Sequence, residues 1–186
     1  RFGREYFDGH RNQGYGGYSY HPRFWQDTVT RLRDYYRLSD NCSVLDVGCA
    51  KGFMLHDFKE MMPEAQLCGL DISSYAIQHC IDDVRESLIL GNVCKLPFQD
   101  NSFDLVTAIN VIHNLPEIQC REAVGEIQRV SKRYAFIVVD GYRSQEEKQA
   151  IESWVLTAET VLSTDDWTAL FAQCGYTGDY YWFTAN

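Results

Sequence analysis

The segment Val44-Leu45-Asp46-Val47-Gly48-Cys49-Ala50-Lys51-Gly52-Phe53 constrains this chain more than any other. An apolar run with an acid near its end passes into small residues at alternate positions, Gly48, Ala50 and Gly52, and then into an apolar helical pattern. Small residues at that spacing let the backbone approach a ligand closely and relieve the steric cost of tight turns. The pattern reads as strand, glycine turn, helix, the first unit of a doubly wound sheet whose ligands lie outside the carboxyl ends of the strands. A dinucleotide fingerprint G-x-G-x-x-G needs its third glycine at position 53, where this chain has Phe53, so the pyrophosphate reading fails.

The flanking sequence continues the alternation. Residues 22–37 have helical periodicity, with Pro22 early and Phe24, Val29, Leu32 and Tyr36 on one face. Strands are expected at 43–47, 67–70, 87–90, 105–109 and 134–139, with helices at 53–62, 74–84 and 117–130 between them. The fifth strand is almost wholly apolar, as a strand covered on both faces requires. A helix over 144–162 follows, then one capped at 163–166 and stopped by Gly175, and the aromatic run Tyr180 to Phe183 reads as a last strand. Strands alternating with helices through short connections predict a parallel sheet with helices on both sides and right-handed crossovers. With 186 residues, 45% of them hydrophobic, and no repeat or linker, a single domain is expected.

Residues 44–53 resemble motif I of the class I S-adenosylmethionine (SAM) dependent methyltransferases, with Ala50 where that family most often has glycine. The resemblance covers residues 43–140 and implies a Rossmann-like three-layer α/β sandwich with strand order 3-2-1-4-5 and one or two terminal strands. The family usually closes on an antiparallel edge, and with about ten residues after Gly175 the seventh strand is either lacking or outside this sequence. Residues 1–37 would form an N-terminal aromatic lid and helix, 43–140 the SAM-binding core, and 141–186 the substrate-side helices and terminal strand.

The resemblance implies SAM as cofactor, S-adenosylhomocysteine (SAH) as product, and no metal. Asp46, Gly48, Cys49, Ala50 and Gly52 would surround the cofactor. Asp71 stands 19 residues after Gly52, where an acid accepts both ribose hydroxyls, with Ile72 beside it. Asn92 would accept from the adenine amine and the Val93 amide would meet a ring nitrogen, while Asn110 would reach the amino-acid end. The stretch after Asn110 is not Pro-Pro-Tyr, which disfavours enzymes of planar amide or adenine nitrogens. His113 is the candidate general base, because an imidazole titrates near pH 6.5. Asp140, Tyr142 and Arg143 follow the fifth strand on the same face and are expected to recognise substrate.

Charge and cysteine content narrow the partners. The net charge of -9 argues against nucleic acid, whose binding needs a basic face. Residues 1–25 differ from the remainder: four arginines against two acids give a local +2, and eight aromatics mix with five glycines. Such a head suits a bendable lid, with Tyr15, Tyr18 and His21 over the cofactor, where aromatic faces favour a sulfonium. Seven cysteines without a CxxC pair fit neither a metal finger nor a disulfide framework and point to a reducing cytoplasm. No apolar run is long enough to cross a bilayer. The expected function is SN2 methyl transfer to an oxygen or nitrogen of a small polar molecule, without membrane or nucleic-acid partners. A homodimer is compatible with the sequence. A non-catalytic SAM-binding or activator subunit, an enzyme using SAM for something other than methyl transfer, and a peptide or protein methyltransferase are the alternatives.

Overall fold

The computed structural model describes residues 1–184. Its centre is a sheet of seven strands: β1 Ser43–Val47, β2 Gln66–Asp71, β3 Leu88–Leu90, β4 Phe103–Ile109, β5 Ser131–Tyr142, the two-residue β6 Leu162–Ser163, and β7 Asp179–Phe183. They lie in the order β3-β2-β1-β4-β5-β6, and β7 also pairs with β5. Every pairing between these strands is parallel. The expected order is therefore present, but a seventh strand, expected to be lacking or outside this sequence, lies within it, and β7 is parallel to β5 where the family usually has an antiparallel edge. It runs beside β5 with Val138 opposite Tyr181 and Asp140 opposite Phe183.

The sheet reverses its winding between β1 and β4, because β2 and β3 lie to one side of β1 and β4 and β5 to the other. That switch leaves a crevice outside the carboxyl ends of β1 and β4, which neither crossover covers. Helices α5 Glu117–Val130 and α7 Thr164–Gln173 cover one sheet face through a core that includes Ile127, Ile137, Val139, Trp167 and Phe171. Helices α2 Pro22–Tyr36 and α3 Phe53–Met61 cover the other, burying Val29, Leu32, Met54 and Phe58 against Val44 and Leu105. Among the described residues no helix is long and apolar enough to cross a membrane.

Tertiary bonds shorten two expected helices. The helix expected at 74–84 ends early, with α4 spanning Ser74–Gln78 and a 3-10 turn at Asp82–Ser87. Between them Cys80 is buried and the Ile81 N–H donates to the Lys51 carbonyl, so the chain bonds to the motif I loop rather than to its own preceding turn. The helix expected at 144–162 is only α6 Gln145–Trp154; beyond it the N–H groups of Glu159 and Thr160 both donate to the His113 carbonyl. Strand β5 outlasts its expected bounds at both ends because it pairs with β4, β6 and β7. Phe24, expected on the buried face of α2, is 56% exposed.

Phe58 is fully buried between α2 and the sheet. Phe58→Ala leaves a cavity there, and urea unfolding should lose about 3–5 kcal/mol with an unchanged denaturant slope.

Candidate functional site

The motif I loop adopts the strained geometry that its small residues permit. Gly48, Ala50 and Gly52 all have positive φ, at 74°, 49° and 78°. A Cβ at Gly48 would sit 2.2 Å from a Val111 methyl, so that position has neither the conformational nor the spatial freedom for a side chain. The Gly48 and Cys49 N–H groups donate to the Leu70 carbonyl at 2.7 and 3.2 Å, which ties the loop to the end of β2. One residue later Asp71 completes the tie. Its Oδ2 accepts from the Ala50 N–H and its Oδ1 from the Ser73 N–H, each at 2.8 Å.

A cavity of about 880 Å³ opens at the switch point. It is lined by Asp46, Gly48, Cys49, Ala50, Asp71, Ile72, Asn92, Val93 and Asn110, which places nine of the ten expected cofactor residues on one surface. Gly52 does not line it and instead begins α3 as its left-handed cap. Asn110 is itself left-handed, with φ 56°; its N–H donates to Val138 and its carbonyl accepts from the Asn114 side chain. The Asn92 Oδ1 accepts from the Cys94 N–H at 2.9 Å, so this amide also shapes its own turn.

Burial sets the electrostatics. Asp46 is 6% exposed, accepts from the Thr107 hydroxyl at 2.9 Å, and is pushed up to about 7 by burial and by nearby Asp71. Burial also raises Asp71, against the opposing hydrogen bonds from Ser73, Ala50 and Ile72. Two carboxylates facing one cavity favour a ligand that brings donors and positive charge. The same burial drives the Cys49 thiol well above its usual range, which suits packing rather than nucleophilic attack.

The head covers this cavity. Helix α1 Arg4–Asp8, which the glycine-rich composition did not suggest, carries Phe7, 3% exposed, into an aromatic cluster with Tyr6, Tyr15, Tyr18 and Tyr75. Tyr18 stacks on Phe53 at 4.9 Å. Tyr15, Tyr18 and His21 all line the cavity, as expected of a lid. The fastening lies in residues that sequence reasoning passed over. Asp8 accepts from Lys51 Nζ and from the Tyr75 hydroxyl, at 2.8 and 2.7 Å, and Lys51 also donates to the Tyr18 carbonyl. The Tyr20 hydroxyl donates to Asp57, a carboxylate only 1% exposed. One of only two acids among four arginines, and a lysine inside a glycine loop, were the available signals.

A second cavity of about 360 Å³ adjoins the first, sharing Tyr6, Arg11, Tyr15, Asn110 and Asn114 with it. His113 and Asp140 line this smaller space. The Asp140 N–H donates to His113 Nδ1 at 3.1 Å, so a neutral ring carries its proton on Nε2, which stands 3.8 Å from Asp140 Oδ2. Burial lowers His113 to about 4, so the ring is neutral at pH 7. Its one lone pair is already engaged, and the ring faces the cavity as a donor instead of the proton acceptor the sequence suggests. Asp140, 3% exposed and pushed up by burial to about 6, is the only carboxylate lining this cavity among the described residues. Tyr142 and Arg143 are not brought to either cavity. Tyr142 lies under Lys148 Nζ, and the Arg143 N–H donates to Glu147.

A methyltransferase-domain family matches residues 38–175, three quarters of the chain and all of the sheet except β7. The chain belongs to the class I SAM-dependent methyltransferase family. It is 34% identical over 126 residues to a demethylmenaquinone methyltransferase of Lactiplantibacillus plantarum, covering 63% of this chain and 51% of that protein. Over 114 residues it is 32% identical to a sterol 24-C-methyltransferase of Schizosaccharomyces pombe, covering 54% of this chain and 29% of the relative. The chain spans about half the length of the first of these relatives and less of the second. Among solved structures, the PH0226 protein of Pyrococcus horikoshii shares the fold with TM-score 0.62 at 20% identity, covering 93% of this chain and 87% of that one. A methyltransferase structure from Bacillus halodurans does so with TM-score 0.66 at 18% identity, covering 80% and 68%.

Asp71 both shapes the loop and faces the cavity, so a substitution here acts on both roles. Asp71→Ala should weaken SAH binding by about 10- to 150-fold, the loss of about 1.5–3 kcal/mol expected for a charge-assisted contact. Asp71→Asn, which keeps one of the two acceptor oxygens and loses the charge, should fall between Ala and wild type by isothermal titration calorimetry.

Proposed function

We propose that this chain moves the methyl group of SAM to an oxygen or nitrogen of a small-molecule acceptor by in-line displacement. The observation that supports the reading is that the two cavities share Asn110 and Asn114 in their walls, so that the cavity lined by Asp46 and Asp71 lies beside a space lined by Asp140. SAM supplies an electrophilic methyl carbon whose bond to sulfur breaks as the bond to the nucleophile forms, leaving SAH.

The chain's own residues position and enclose. Asp71 and Asp46 fix one end of the ligand, the aromatic head excludes water, and Asn110 holds the wall where the two spaces meet. Alignment of the reacting atoms in a water-poor site supplies much of the rate. An O–H or N–H nucleophile must also release a proton. Asp140 receives it, with His113 holding its ring against the Asp140 backbone as a positioning residue. The relatives are named for acceptors as different as demethylmenaquinone and a sterol, so the acceptor does not follow from the family.

Incubation with methyl-labelled SAM and an acceptor panel should yield SAH and labelled product in equal amounts. SAH without methylated product would overturn methyl transfer, and binding without turnover would favour the non-catalytic alternative. Asp140 must be ionised to accept a proton, so turnover should rise with pH through about 6 and level above 7. Asp140→Asn should remove that limb and lower turnover by about 10²- to 10⁴-fold with SAH affinity retained. His113→Gln should lower turnover less and keep the limb; loss of the limb would return the proton-accepting role to the ring.

A further inference from the structure

The larger cavity changes character along its length. Its polar groups gather at the ends of β1, β2 and β4, where Asp46, Asp71 and Asn110 stand. Its other part lies between α2 and the sheet and is lined by Phe24, Trp25, Met54, Ile109, Val138 and Phe183. The fold explains why these meet. Ile109 is registered opposite Val138, and Phe183 opposite Asp140, which is two residues beyond Val138 on the same strand face. Trp25, Met54 and Ile109 belong to the apolar cluster beneath α2.

The charged side chains of the cavity wall are Arg11, Asp46 and Asp71, and the Arg23 guanidinium lies over the outer ring, Phe24, at 4.6 Å. Thr28, also in the wall, donates its hydroxyl to the Phe24 carbonyl of its own helix. His21 uses Nδ1 to accept from the Arg23 N–H at the start of α2. Phe24 and Phe183 form the mouth, 56% and 41% exposed. Apolar surface that is partly exposed beside a cavity gains stability when a ligand covers it. At about 880 Å³ the whole cavity lies near the top of the roughly 300–1,000 Å³ range of ligand pockets, with space for a second molecule beside a nucleoside ligand.

We propose that this lobe holds an acceptor with an extended hydrocarbon body, its nucleophilic atom toward Asn110 and its tail leaving between Phe24 and Phe183. This deepens the methyl-transfer reading and rests on it, and it replaces the small polar acceptor suggested by the acidic composition. The body is recognised by apolar contact, and only the reacting end meets polar groups.

Two neutral probes of similar length test the lobe: 1-decanol and tetraethylene glycol, each titrated into SAH-loaded protein. Decanol should bind and shift the tryptophan emission to shorter wavelength, tetraethylene glycol should bind at least about tenfold more weakly, and SAH should not displace decanol. Phe24 is the third residue of α2, where an acid suits the helix N-terminus, so Phe24→Asp should fold while losing about tenfold or more in decanol affinity. Phe24→Leu should retain decanol, and both variants should keep wild-type SAH affinity. Equal affinity for the two probes, displacement of decanol by SAH, or an unaffected Phe24→Asp would overturn the proposal. Absence of SAH binding would instead overturn the methyltransferase reading, and the same decanol titration on SAH-free protein would still report on the lobe.

Discussion

The structure depends on the Asp71 carboxylate. One side chain joins the end of β2, the left-handed motif I loop through Ala50, and the start of α4 through Ser73. Backbone N–H groups buried in a tight loop need acceptors, and a carboxylate with two oxygens can serve two of them at once. The same group lines the ligand cavity. Loop geometry, the carboxyl end of the sheet and the cavity wall are therefore coupled through one side chain, and burial that raises its pKa is opposed by the bonds it accepts.

The head is the second dependent part. Its aromatic rings cluster around Phe7, but position is set by charge: Asp8 meets Lys51, and Lys51 projects from the same loop that Asp71 holds. Lid and loop are thus fastened to each other, with Lys51 7% exposed and its ammonium matched by a carboxylate and a carbonyl. Burying such a charge is tolerated only when it is paired in this way. The two cavities are both roofed by Tyr6, Arg11 and Tyr15, so the head shapes the cofactor end and the smaller polar space together.

Much of the site was readable because its signals are local. Gly48, Ala50 and Gly52 announce a loop by spacing, Asp71 by its distance from that loop, and the apolar alternation announces the sheet. Partners distant in sequence were not readable. His113 looked like a base until the Asp140 N–H, 27 residues away, took its lone pair. Tyr142 and Arg143 follow the correct strand, but β5 runs on to Tyr142 and carries them past the cavities. The helices expected at 74–84 and 144–162 ended where carbonyls of Lys51 and His113 offered better-placed acceptors than the next helical turn.

By itself the sequence determined the alternation of strands and helices and the left-handed small-residue loop, because these follow from periodicity and from the conformational freedom of small residues, while the strand order came from the resemblance to the class I family. The tertiary structure decided what those elements enclose. The parallel placement of β7, the outward turn of Phe24 and the engagement of His113 each arise from contacts between segments far apart in the chain. They turn the composition of an acidic, polar protein into a cavity with one charged end and one apolar end, because a cavity wall is set by which side chains the fold turns inward rather than by their average over the chain.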